Sequence, residues 1–153
     1  MLKKIILVVI TIVALILNPI IKAKKIENLK SFSFIYSTGY YKDASVIYEL
    51  KYNDKWILYY KGDGISDEDT ISYEVDENLI ERLENILNKY EVSRWNGFNK
   101  NDKYVLDGNS FSISINYNEN NSVSAHGYES WPTNYHNVKN ELNNLFNEYI
   151  KEK

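Results

Sequence analysis

From residue 29 onward apolar and polar side chains alternate. In "LKSFSFIYST" Phe32, Phe34 and Tyr36 fall on one side, and Ser31, Ser33 and Ile35 on the other. That period of two marks a half-buried strand. "ASVIYELKY" repeats it with Val46, Tyr48, Leu50 and Tyr52, and "KWILYYKG" with Trp56, Leu58 and Tyr60. Asn53 and Asp54 supply the turn between these two, so the three runs predict an antiparallel meander. After the polar loop "GDGISDEDT", a short strand follows at "ISYEV".

The period then changes. Asp76 is placed to cap a helix N-terminus, with Glu77 near the positive end of its dipole. Leu79, Ile80, Leu83, Ile86, Leu87 and Tyr90 recur at helical spacing, which predicts a helix from about 77 to 90 with one apolar stripe. The connection "EVSRWNGFNKNDKYVLDGN" carries Trp95, Phe98, Val105 and Leu106. These are too many large apolar groups for a merely solvated loop, so it is expected to fold back onto the core.

"SFSISINY" and "SVSAHGY" form a hairpin across "NENN", with Phe111, Ile113, Ile115 and Tyr117 inward, answered by Val123 and Ala125. Asp107 and Gly108 suit a turn that needs positive φ and leads into this hairpin. Pro132 ends it, and Thr133 or Asn134 caps a last helix with the stripe Val138, Leu142, Leu145, Phe146 and Tyr149. The order βββ(β)α-loop-ββα predicts an α+β domain: an antiparallel sheet of about five to six strands with two amphipathic helices on one face. Each half reads as hairpin then helix, which hints at an internal duplication.

Ahead of this domain stands "MLKKIILVVITIVALILNPIIKAKK". Lys3 and Lys4, an apolar run from Ile5 to Leu17, and small Ala23 have the form of an export signal. Bulky Ile21 is a poor match to a cleavage site, and Ile20 and Ile21 extend the run towards a spanning length. Residues 1–25 are therefore read as a signal peptide or an N-terminal membrane anchor, and 26–153 as a single domain that is secreted or held outside the cytoplasmic membrane.

Composition narrows the chemistry. There is no cysteine, which removes disulfides, thiolate metal sites and a Cys nucleophile. Beyond Ala23 lie 15 basic against 21 acidic residues, a net charge of −6. Such a balance argues against nucleic acid, whose phosphates require a basic face, and favours a soluble monomer.

Asp107, Ser110 or Ser114, and His126 invite a Ser-His-Asp reading, with Ser114 and His126 as cross-strand neighbours. A solvated sheet face, however, lacks the oxyanion donors and water exclusion that catalysis requires, and no G-x-S-x-G elbow is present. No catalytic residue is assigned. His126 and His136 have no metal-ligand spacing, and neither the acids Asp63, Asp67, Glu68 and Asp69 nor "NKND" follow the EF-hand order; a solvated acidic loop is the reading there, with weak calcium binding as its alternative, and no metal site or cofactor is assigned. Tyrosine is abundant, and the pairs in "GYYKD" and "LYYKG" force one ring of each off the core. Two readings stand open for these rings: Trp95 and Trp131 close the ends of the core in a chain where tyrosine is simply abundant, or Tyr41, Tyr59, Trp95, Trp131 and Tyr135 form an exposed aromatic surface of the sort that stacks on sugars or anchors a protein. The candidate ligand-binding residues are Trp95, Phe98, Asp107, Trp131, Asn134 and Tyr135.

With W-x-G-F at 95–98, V-L-D-G-x-S-F-S at 105–112 and W-P-x-N-Y at 131–135, the chain resembles an uncharacterised family of small domains from Firmicutes over most of residues 33–150. The resemblance implies no activity, cofactor or ligand. An exported, non-catalytic binding domain of a Gram-positive cell envelope is the expected function, with an unknown protein or glycan as partner and the N-terminal segment as the only membrane contact. A small hydrolase and a proteinaceous enzyme inhibitor are the alternatives.

Overall fold

The computed structural model describes residues 23–37, 39, 45–66 and 69–151. The expected signal or anchor, Tyr41, Asp67 and Glu68 lie outside these. The chain is α+β: β1 (Leu29–Ser37), β2 (Ser45–Asn53), β3 (Lys55–Lys61), β4 (Ile71–Val75), α1 (Glu77–Lys89), a 3₁₀ turn (Val92–Trp95), β5 (Asn99–Asn101), β6 (Ser110–Tyr117), β7 (Asn121–Tyr128) and α2 (Tyr135–Lys151). The strands form one sheet in the order β4-β3-β2-β1-β6-β7-β5.

Seven strands stand where five to six were expected. The additional one, β5, is three exposed polar residues paired parallel to β7. It has no alternation to announce it and arises from backbone pairing alone, as His126 N donates to Phe98 O at 2.8 Å. All other pairings are antiparallel. The meander β1-β2-β3 forms as expected and β4 extends it.

One sheet face carries the core. Phe32, Phe34, Tyr48, Leu50, Leu58, Phe111, Ile113 and Ile115 are all buried on it, together with the helix stripes Leu79, Leu83, Leu87 and Val138, Leu142, Phe146. Phe146 of α2 stacks on Tyr48 with ring centroids 4.5 Å apart. The other face is open and uneven. Ser33, Ser114 and Ser124 run in one row across β1, β6 and β7, whereas Ile35, Ile47, Ile57 and Tyr59, all half-buried, cover β1 to β3.

Local chemistry fixes the element ends. The Asp76 carboxylate accepts from Leu79 N at 3.1 Å, the expected cap of α1. Asp54 takes φ 60° in the tight β2–β3 turn. The helices are tied to each other by Lys89–Glu141 at 2.5 Å and Arg82–Glu148 at 2.8 Å. Ahead of β1, Ile26 is fully buried, and its N–H and C=O both bond the Asn88 amide of α1 at 2.8 Å. Among the described residues no helix is long and apolar enough to cross a membrane.

Two expectations about the 91–109 connection need correction. Trp95 folds onto the core and Phe98 packs against it, but Leu106 is 92% exposed, Val105 37% and Tyr104 97%. Their loop leaves β5, an edge strand of the sheet, and is held there by the Tyr128 hydroxyl through Gly108 N and the Leu106 carbonyl. Gly108 does not take positive φ. It is a glycine for space, because a Cβ there would stand 2.5 Å from Cγ of Glu129 and 3.0 Å from the Tyr128 ring.

Candidate binding site at the tryptophan corner

Past Tyr128 the chain turns sharply over the end of the sheet. A Cβ on Gly127 would lie 2.1 Å from the Ser130 carbonyl oxygen and 2.4 Å from the Phe111 ring, so only glycine permits this approach. The Pro132 carbonyl accepts from Tyr135 N at 3.1 Å. Asn134 takes φ 67°, and its carbonyl accepts from Val138 N at 3.0 Å, the first helical bond of α2.

This corner is built on stacked rings. Trp131 lies on Tyr135 with centroids 4.5 Å apart and planes 19° from parallel. Phe111 sits beneath both, 4.6 Å from Tyr135 and 5.7 Å from Trp131. Trp95 is held against the corner by its indole N–H, which donates to the Thr133 carbonyl at 3.1 Å. Burial pushes the Tyr135 hydroxyl above the ordinary tyrosine range, so it stays neutral at every physiological pH.

Between the 3₁₀ turn and the corner lies a groove of about 440 Å³. Trp95, Phe98 and Trp131 wall it, and Arg94, Lys100 and Asn134 are exposed at its margin. Four of the six candidate residues, Trp95, Phe98, Trp131 and Asn134, thus meet in one place. Tyr135 is 3% exposed and supports Trp131 from below. Asp107 lies outside the groove, on the adjoining loop. Trp95, also 3% exposed, closes the core, so of the two readings of these aromatics the exposed surface keeps only part of its residues: Trp131 is half-buried at the groove, and Tyr59 stands on the open sheet face with Lys51 Nζ 5.5 Å from its ring centre.

Arg94 and Lys100 were not singled out from sequence. Arg94 directly precedes Trp95, and Lys100 follows Phe98 by two, the spacing that puts extended residues on one side. Lys100 Nζ lies 5.4 Å from the Phe98 ring centre. Arg94 pairs with Glu91 at 2.8 Å, so the groove margin carries two cations and one carboxylate. The rim is thus net positive on a domain that is acidic overall.

The loop beyond β5 passes beside this groove and is braced at both ends. Asp102 N donates to the Tyr128 carbonyl at 3.0 Å, and Tyr104 N to the Asp102 carboxylate at 3.0 Å. The Tyr128 hydroxyl accepts from Gly108 N at 2.7 Å and donates to the Leu106 carbonyl at 2.9 Å. Glu129 accepts from both the backbone and the side-chain amide of Asn109.

Elsewhere the chemistry is sparse. His126 pairs across the sheet with Ser112, not Ser114, because Tyr117 pairs with Asn121 and leaves a three-residue turn. Both side chains stand on the open face, while Asp107 lies in the loop ahead of β6. No hydrogen bond joins the three among the described residues. No cluster of three potential metal ligands occurs among the described residues either. A second groove, of about 420 Å³, lies between Tyr52, Trp56 and the α1 carboxylates Glu77, Glu81 and Glu84. It holds none of the candidates, and Glu84 there already accepts from Leu29 N at 2.8 Å. No family model matches the chain, and no curated protein matches it.

Proposed function

We propose that the chain is an exported, non-catalytic binding domain of a Gram-positive cell envelope, and that the groove at the tryptophan corner is where it binds. The observation that carries this reading is the joining of aromatic walls, Trp131 and Phe98, to a polar rim of Arg94, Lys100 and Asn134 on one rigid corner. Such sites combine apolar contact with a few oriented polar groups. The walls need no rearrangement to receive a ligand, since Tyr135 and Phe111 already hold Trp131 in place. Pre-formed walls reduce the ordering cost of binding.

The hydrolase reading finds little support, because Ser112 and His126 lie on an open sheet face with no oriented acid. A glycan array and a pull-down from cell-envelope extract, each run with the native chain, Trp131→Ala, Lys100→Ala and His126→Ala, test the proposal. Binding lost in the first two variants and kept in the third is the expected result. Binding indifferent to Trp131→Ala and Lys100→Ala, or a hydrolysis abolished by His126→Ala, would overturn it.

A further inference from the structure

Tyr104 and Leu106 are almost wholly exposed, yet the loop that carries them is held by hydrogen bonds from Tyr128, Asp102 and Glu129. An exposed apolar pair on a floppy loop needs no explanation. On a braced loop it is a pre-organised anchor, since the backbone is already ordered and only the two side chains' own rotamers remain to be fixed on burial. Tyrosine is also among the residues that concentrate binding energy at interfaces.

The chain itself offers a fitting receptor. The groove walled by Trp131 and Phe98 opens beside the same sheet edge, and Lys100, which lines it, is four residues ahead of Tyr104. The loop leaves its own groove unfilled: none of residues 102–109 lines it, and Tyr128 and Glu129 hold the loop at Leu106, Gly108 and Asn109. Charge is complementary as well. The loop carries Asp102, Lys103 and Asp107, net negative, and the groove carries Glu91, Arg94 and Lys100, net positive.

A protrusion and its receptor on one edge permit a two-fold pair in which each copy fills the other, the self-complementary arrangement of most homodimers. We propose that two copies of this chain associate edge to edge, each lodging Tyr104 and Leu106 in the partner's groove, with Asp107 against the partner's Lys100. The proposal rests on reading the groove as a docking site and names its occupant. It departs from the monomer that net charge favours, because the attraction is local and the repulsion is spread over the surface. Two anchors per copy make a small interface, below the roughly 1,200 Å² of stable complexes, so the pair is reversible and concentration-dependent.

Sedimentation velocity of the full chain from about 1 to about 500 µM spans the range in which such interfaces assemble. The expected result is a monomer–dimer equilibrium that Leu106→Glu weakens by about tenfold or more. Lys100→Asp and Asp107→Lys each weaken it alone, and the double variant restores it. These three positions are exposed, so the fold survives the changes. A monomer at every concentration overturns the proposal, and so does a dimer indifferent to all of these variants, which would assemble elsewhere, such as through the N-terminal apolar run. A monomer that still binds glycan or envelope protein in a Trp131-dependent way would sink the dimer and leave the groove standing. A dimer with no such ligand would do the reverse.

Discussion

The hydroxyl of Tyr128, on the last residue of β7, donates to the carbonyl of Leu106 across 2.9 Å of loop. The same oxygen accepts from Gly108 N, so one side chain fastens two backbone groups that otherwise have only water. Tyr128→Phe keeps the ring and removes both bonds. The expected outcome is a stability loss of about 1–2 kcal/mol in urea unfolding, together with faster hydrogen exchange at the Gly108 amide. Unchanged exchange there would mean that the hydroxyl does not hold the loop.

Gly127 and Gly97 are predicted to respond differently to alanine. At Gly127 the new methyl meets a backbone oxygen and a buried ring, neither of which has room to move. At Gly97 the space is open and only the backbone, at φ 81°, resists. Thermal melts should place Gly97→Ala about 1 kcal/mol below the native chain and Gly127→Ala lower still, by about 3 kcal/mol or more. Equal losses would mean that the corner relaxes around Gly127.

Phe111 and Leu106 are both large and apolar, and the structure gives them opposite weights. Phe111, 1% exposed, supports Trp95, Trp131 and Tyr135. Its replacement by alanine is expected to cost about 3–5 kcal/mol, whereas Leu106→Ser stays within about 0.5 kcal/mol. Chemical denaturation of the two variants at a concentration that keeps the chain monomeric decides it. A large loss from Leu106→Ser would return that residue to the core.

Acid should loosen the helix pair. The Lys89 ammonium, then the Tyr90 hydroxyl, holds the Glu141 carboxyl below its ordinary value, and Arg82 does the same for Glu148. Their folded pKa values lie below the unfolded ones. The stabilisation is therefore complete above about pH 4.5, the ordinary value, and is lost as pH falls through the depressed values. Lys89, raised by the same contacts, gives its share below pH 10.5 and loses it above. Urea midpoints from pH 2 to 7, compared between the native chain and Glu141→Gln, should show a shallower acid loss in the variant. Identical pH profiles would mean that the pair is not formed in solution.

The elements legible in the sequence are those whose cause is local. Asp76 precedes its helix, and Leu79 through Leu87 repeat at its period, so both ends of the inference lie within a few turns of chain. Alternation likewise told which way Phe32 and Phe34 point. It did not tell that Ile113 and Ile115 stand beside them, since period fixes a face and leaves the neighbour open. β5 was illegible because Asn99 to Asn101 have no apolar side. Val105 and Leu106 misled for the opposite reason: they carry the composition of a core, and a tyrosine hydroxyl twenty-two residues away keeps them out of it. At the corner, side-chain chemistry singles out Trp95, Phe98, Trp131 and Asn134, which the fold brings to one groove, and Asp107, which it does not. Their division into wall and support came only with the stacking of Trp131 on Tyr135.

Ile26, clasped on both sides by the Asn88 amide, also sets how far the domain can stray. Four residues, Lys22 to Lys25, separate it from the apolar Ile21, and fully extended they reach about 14 Å. Should the N-terminal segment stay in the membrane, the domain has no stalk. In that case it would lie against the lipid surface with the Ile26–Asn88 side nearest, because the two Asn88 bonds fix where the chain enters the fold.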